Sequence, residues 1–444
     1  MKSARQVAFE ALLKVHRDGA YSNLVVDSLL RENSELDERD KAFVCNLVYG
    51  TLDRLILIDY NLGLYLNQPV RKLKPELHTI LRMGTYQLLF MDKVPSRAAV
   101  NESVNLAKVN KSSFAASLVN AVLRRVSDNG VRLPEGCESD PEYLAIKYSC
   151  PEWIISLWIN AYGKDNAIAL AEKALEAAPL VIRVNTTKTT PDELIWKLAE
   201  EGVVAEKTDK MPDALILSNT GSVEELEAYK EGLFHAQDIA SQLCCMALDA
   251  QEGETVFDLC SAPGGKTFTI AESMNNTGVV RAFDVYQSRV ELIKSGAERL
   301  ALDNVYSYLS DASIFNENYG FADRVLCDVP CSGLGIIRRK PEIRFKNRSD
   351  IDNLPELQYR ILCNATKYLK DGGRLVYSTC TLNPKENSEV CDRFLNEHPE
   401  FSAVKILPNL PRYSEDDKYL TLMPHIHSTD GFFVAAFCKN GGIR

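Results

Sequence analysis

Between residues 254 and 437 the sequence repeats one pattern: a short apolar run, a polar turn, then a helical period. Strands are expected at 254–259, 279–284, 304–309, 324–328, 374–378 and 432–437. Helices are expected between them, notably at 287–300, 354–369 and 384–396. Parallel strands need a crossover between them, and an alternating series of this kind buries its apolar faces as a doubly wound, mostly parallel sheet. Ligands of such sheets bind at the carboxyl ends of the strands. The motifs with chemical character all fall at such ends.

Upstream the period changes. Ala8, Leu12, Leu13 and Val15 keep a helical spacing, as do Phe43, Val44, Leu47 and Val48, and then Ile80, Leu81, Met83, Leu88 and Leu89. Helix starts are expected near Asp37 and at Pro75. Residues 1–140 therefore read as one all-α domain. Residues 141–235 read as a helical stretch over 151–178, a strand at 180–184, a helix at 191–201 and a strand at 214–217, a small α+β module. Residues 236–444 form the doubly wound domain, so the expected fold is multidomain.

With 444 residues the chain is too long for a single core. Its 45% hydrophobic and 25% charged content is that of a globular protein. No apolar run spans a bilayer, and the first residues enter a helical period without a signal-peptide pattern. A cytoplasmic monomer with no membrane partner is expected. The twelve cysteines contain no C-x-x-C pair and the six histidines add no metal-type cluster, so neither a metal nor a disulfide scaffold is expected. Cys244, Cys245, Cys363 and Cys438 lie in apolar runs and read as small core residues.

Five strand ends carry the candidate chemistry. The first is Phe257-Asp258-Leu259-Cys260-Ser261-Ala262-Pro263-Gly264-Gly265-Lys266-Thr267. It matches neither G-x-G-x-x-G nor a phosphate loop. Its paired glycines still let a ligand approach the backbone, and the helix start with Lys266 favours a negatively charged ligand group. The next two strands end at Asp284 and are followed by Asp311, where a nucleoside ribose is commonly held. The other two ends are Asp328-Val329-Pro330-Cys331-Ser332-Gly333 and Ser378-Thr379-Cys380-Thr381. A nicotinamide enzyme has no use for thiols after these strands. Methyl transfer from S-adenosyl-L-methionine to an unreactive pyrimidine C5 does, because a thiolate must first add to C6 and make C5 nucleophilic. The residues by themselves leave open whether Cys331 or Cys380 attacks.

Net charge is −10, yet residues 1–140 carry a net +2. Immediately after the Cys331 motif, residues 336–348 hold six basic residues against one acid. Next to a candidate active-site thiol, Arg338, Arg339, Lys340 and Arg344 are expected to contact nucleic-acid phosphates.

These motifs together resemble the RsmB (Sun/Fmu) family of bacterial 16S rRNA cytosine-C5 methyltransferases, over nearly the whole chain. Leu47-Val48-Tyr49-Gly50-Thr51, Leu81-Arg82-Met83-Gly84-Thr85-Tyr86-Gln87, Val94-Pro95-Ser96-Arg97-Ala98-Ala99-Val100-Asn101-Glu102 and Val119-Asn120-Ala121-Val122-Leu123-Arg124-Arg125 resemble its NusB-like RNA-binding domain. Gln237-Asp238-Ile239-Ala240-Ser241 resembles the opening of its Rossmann-like catalytic domain. The resemblance implies that Cys260, Ser261, Ala262, Pro263, Gly264, Gly265 and Lys266 wrap the methionine part of S-adenosyl-L-methionine. Asp284 and Asp311 would hold its ribose and adenine sides, and Asp328 would lie by cofactor and target base. It also implies that Cys380 is the attacking thiol and that Cys331 assists product release. The implied partner is 16S rRNA, free or partly assembled. Alternatives are the same chemistry on another RNA and a non-catalytic NusB-like RNA-binding factor. An N-methyltransferase is disfavoured, since [DN]-P-P-[YFW] is replaced by Asp328-Val329-Pro330-Cys331.

Overall fold

Ser3 accepts the backbone N–H of Gln6 and opens the first helix, Ala4–Asp18, which Gly19 closes in the left-handed conformation. Its buried stripe of Val7, Ala8, Ala11, Leu12 and Val15 packs with helices Glu38–Asp53 and Pro75–Phe90. Asp37 and Pro75 start those two helices, as the sequence indicates. A Cβ on Gly50 would lie 1.9 Å from the Tyr86 hydroxyl, so this position lets two helices approach closely.

The computed structural model describes residues 2–110, 113–138, 140–413 and 418–440. The chain forms two units, Met1–Ala177 with Ile337–Asn347, and Ala178–Ile336 with Arg348–Arg444. This division departs from boundaries at 140 and 235. Residues 141–177 fold with the helical unit, and the segment rich in basic residues leaves the sheet domain to join it. The stretch expected as one helix over 151–178 is two helices, Glu152–Tyr162 and Lys164–Lys173. They are split at Gly163, whose φ of 81° cannot continue a right-handed helix.

The second unit holds two sheets. The smaller comprises β1 (Leu180–Val184), β2 (Val204–Lys207), β3 (Ala214–Ser218) and β4 (Phe234–Ala236), in the order β2-β3-β1-β4 with antiparallel neighbours. The larger comprises β5 (Thr255–Asp258), β6 (Val279–Asp284), β7 (Val305–Leu309), β8 (Ala322–Asp328), β9 (Leu369–Thr379), β10 (Phe401–Val404), β11 (Leu420–Leu422) and β12 (Phe432–Lys439). Its order is β10-β12-β9-β8-β5-β6-β7, with β11 pairing β12. Strands β5 to β9 are parallel neighbours, and β12 runs antiparallel to β9.

Two helix ends differ from expectation. The helix starting at Leu354 stops at Ala365, because β9 begins at Leu369 and turns through Gly372 at φ 76°. The segment expected as a helix over 384–396 is a tight 3₁₀ turn, Pro384–Glu386, followed by helix Ser388–Glu397. Asn387 carries non-helical angles between them.

Candidate active site

The turn after β5 is fixed from beneath. The Ser261 hydroxyl donates to the Asp258 carbonyl at 2.6 Å and accepts the Phe283 N–H at 2.7 Å, tying the end of β5 to the end of β6. Thr267, in helix Gly265–Ser273, donates to the Asp258 carboxylate at 2.7 Å. Asp258 is wholly buried, and burial pushes its carboxyl up to about 7, against the lowering effect of the Thr267 bond. Gly264 has φ +113°, and a Cβ there would meet the Phe268 ring at 2.3 Å. Only glycine fits. Cys260 and Ala262 are half-buried, and Pro263 is exposed after a cis peptide bond. Burial raises the Cys260 thiol well above its ordinary value.

Lys266 does not keep its charge for a ligand. Its ammonium lies 2.7 Å from Asp328 Oδ2 and 5.1 Å from the centre of the Phe432 ring. Burial is the largest single influence and lowers its pKa, but the charge and hydrogen bond of Asp328, with Cys244 and Cys245 nearby, together raise it. Asp328 Oδ1 accepts the Ser378 hydroxyl at 2.8 Å, so both oxygens of this carboxylate are engaged.

Asp284 is buried at the end of β6 and accepts the Tyr286 N–H at 3.1 Å. Asp311 is exposed and accepts both the N–H and the hydroxyl of Ser313. Two residues absent from the sequence reading follow Asp284. Val285 and Tyr286 are 52% and 58% exposed, an apolar surface beside a buried carboxylate. The signal was available as an apolar pair after an acidic strand end. A buried acid for a ribose, exposed apolar groups for a flat ring and a half-buried Gly265 at the start of a helix form a lining that fits a nucleoside cofactor.

Cys331 and Cys380 come together because their strands are in register. Asp328 of β8 pairs with Ser378 of β9, so the chains leave the sheet side by side. The two sulfurs lie 3.2 Å apart and both residues are half-buried. The hydrogen bond with Cys380 holds the Cys331 thiol well above its ordinary pKa, and burial and the charges of Glu386 and Asp328 add to this. Gly335 threads the space between the loops. Its N–H donates to the Cys380 carbonyl at 3.0 Å, and a Cβ there would strike the Gly431 carbonyl oxygen at 1.9 Å.

The basic segment divides. Arg344 was expected at the phosphate backbone, but its guanidinium is buried, pairs with Asp53 at 2.9 Å and donates to the Ala174 carbonyl at 2.7 Å. It holds the helical unit together. Lys340 is exposed, with its ammonium 5.7 Å from the Tyr21 ring centre, and Arg338 and Arg339 are half-buried. Among the described residues no group of His, Cys, Asp or Glu is arranged to hold a metal.

Residues 245–438 match the family described as 16S rRNA methyltransferase RsmB/F. Residues 2–128 match the NusB family, and residues 150–224 match the ferredoxin-like domain of RsmF/B-like methyltransferases. A probable ribosomal RNA small subunit methyltransferase B of Bacillus subtilis is 39% identical over 99% of both chains. The ribosomal RNA small subunit methyltransferase B of Proteus mirabilis is 31% identical over 98% of both. The crystal structure of PH0851 is similar with a TM-score of 0.84 at 28% identity, covering 97% of this chain and 98% of that one.

Proposed function

Because the chain belongs to the 16S rRNA methyltransferase RsmB/F family, we propose that it methylates C5 of a specific cytosine in 16S rRNA through a covalent cysteine adduct. The pairing of Cys331 with Cys380 at 3.2 Å on one sheet edge carries this reading. Methylation at nitrogen needs no thiol; methylation at pyrimidine C5 needs one to enter and one route for it to leave.

In this reading Cys380 Sγ adds to C6 of an unstacked cytosine, which makes C5 nucleophilic. The turn from Cys260 to Lys266, with Asp284 and Asp311, would hold S-adenosyl-L-methionine, which would supply an electrophilic methyl group. Asp328, fixed between Lys266 and Ser378, presents its carboxyl group at the junction of cofactor and base. Once C5 is methylated its proton must leave and the Cys380–C6 bond must break, with the electron pair of the C5–H bond restoring the ring. Cys331 assists this release. The target base has to be out of its stack for attack from one ring face, which fits a loop of the RNA. Arg338, Arg339 and Lys340 contact its phosphates, and the protein works as a cytoplasmic monomer.

The test combines nucleoside analysis with a denaturing gel. Wild-type protein, 16S rRNA and labelled S-adenosyl-L-methionine are expected to give 5-methylcytidine. Cys331→Ala is expected to accumulate a covalent protein–RNA band, and Cys380→Ala to give neither band nor product. Methyl label in any other nucleoside refutes the reaction; a band with Cys380→Ala and none with Cys331→Ala reverses the two thiols.

A further inference from the structure

Glu386 is completely buried where the loops after β8 and β9 meet, and the reaction just described does not use it. Four donors converge on its carboxylate. The Ser332 N–H lies at 2.8 Å, Asn383 Nδ2 at 2.9 Å and Gln358 Nε2 at 3.0 Å, and the Ser332 hydroxyl completes the set. Each of the four is neutral. An ionised carboxylate is acceptor-only with about four lone-pair sites, so this cage satisfies it without a cation. A buried carboxylate is costly unless so satisfied.

The cage reaches the residues that flank both thiols. The Ser332 hydroxyl, its O–H donated in a hydrogen bond to Glu386, accepts from the Thr381 hydroxyl at 2.7 Å. Gln358 Nε2 also donates to the Pro330 carbonyl at 2.9 Å. Pro330 and Ser332 flank Cys331, and Thr381 follows Cys380. The Glu386 carbonyl in turn accepts the Tyr377 hydroxyl from β9. One side chain thus ties the residues on either side of the first cysteine to a neighbour of the second.

We propose that Glu386 is a positioning residue that sets the Cys331 and Cys380 loops against each other so that both thiols address one base. The assignment rests on the reading that these thiols perform the chemistry. It explains why an acid sits in the turn Pro384–Glu386, which the sequence pattern alone would give to a helix. The carboxylate works at a distance from the substrate, through Ser332, Thr381 and Gln358.

Two full-length variants test it. Glu386→Gln keeps the shape but turns an amide N–H₂ toward groups that are themselves donors. Ser332→Ala removes only the hydroxyl relay and leaves the backbone bond, so it remains informative if Glu386→Gln does not fold. The first readout needs no RNA: diamide takes two electrons and two protons from the thiols as the Cys331–Cys380 disulfide forms, and peptide mass mapping gives its rate. That rate is expected to fall about tenfold in Glu386→Gln and severalfold in Ser332→Ala. The second is steady-state methylation, where kcat is expected to fall by about 100-fold in Glu386→Gln, the loss that a 1 Å misplacement can cause. KM for RNA and for S-adenosyl-L-methionine should stay within about threefold, since neither site is touched. Wild-type disulfide rates and wild-type kcat in a folded variant would overturn the assignment, as would a fall in kcat matched by a rise in both KM values at an unchanged disulfide rate. Absence of 5-methylcytidine with wild-type enzyme would instead refute the underlying reaction, leaving the disulfide measurement to judge the positioning.

Discussion

Asp258 illustrates how one residue can be legible in sequence while its state is not. Its place before a glycine-rich turn marks the end of a strand. Only the fold removes it from water, and that burial raises its carboxyl to about 7 even though the Thr267 hydroxyl bonds it. In the unfolded chain an aspartate titrates near 3.9. Between about pH 4 and pH 7 the folded state therefore binds the extra proton, and this group's contribution to stability declines as pH rises, by up to about 1.4 kcal/mol per pH unit. Above pH 7 the contribution levels off. Asp258→Asn keeps an acceptor for Thr267 and removes the titration. Urea unfolding at a series of pH values should show the wild type losing stability relative to the variant across that window. A constant difference would disprove it.

At the scale of elements, the helix that follows the Gly264-Gly265 turn is anchored from below by charge. Arg183 of β1 lies 3.4 Å from Glu272 of helix Gly265–Ser273 and 3.2 Å from Asp213. Both members of the first pair are buried, so removing Arg183 takes the guanidinium from a buried carboxylate and leaves His235 Nδ1, 3.4 Å away, beside it. Arg183→Met is expected to destabilise the fold by about 3–5 kcal/mol, and adding Glu272→Met to recover much of that loss. Denaturant titration of the single and double variants checks both; a single variant as stable as wild type would show that the pair is not coupled. Periodicity could not reveal this link, because Arg183 and Glu272 lie in elements whose contact is not local. It also missed β2, β4, β10 and β11, which are three or four residues long and offer too little alternation to stand out.

For the whole molecule, a single basic run divides between buried and exposed residues. Residues 337–347 leave the sheet domain and become part of the helical unit. Arg344 is consumed in holding that unit, whereas Lys340 is exposed. Replacing Arg338, Arg339 and Lys340 together by Gln should weaken RNA binding and reduce the slope of log affinity against log salt by about 0.7–0.9 per lost contact. Arg344→Gln should instead cost about 1–3 kcal/mol of stability by depriving Asp53 of its partner. Filter binding across a salt series, paired with thermal unfolding of both variants, separates the two effects. Equal RNA affinity for the triple variant at every salt concentration would show that these side chains make no phosphate contact.

The sequence by itself determined the alternating strand and helix order of the sheet domain, the glycine turn after Asp258, and the placing of Asp284, Asp328, Cys331 and Cys380 at strand ends. These follow from local period and turn chemistry, which neighbouring residues encode. What only the tertiary structure decided is how those ends meet. The Asp328–Ser378 register brings two thiols separated by 48 intervening residues to 3.2 Å. The same folding spends Lys266 on Asp328, buries Arg344 against Asp53, and encloses Glu386 among donors from three separate segments. A charge in sequence specifies only what a residue can offer. Its partner is set by long-range packing, which decides whether that charge faces a ligand, a neighbouring side chain or water.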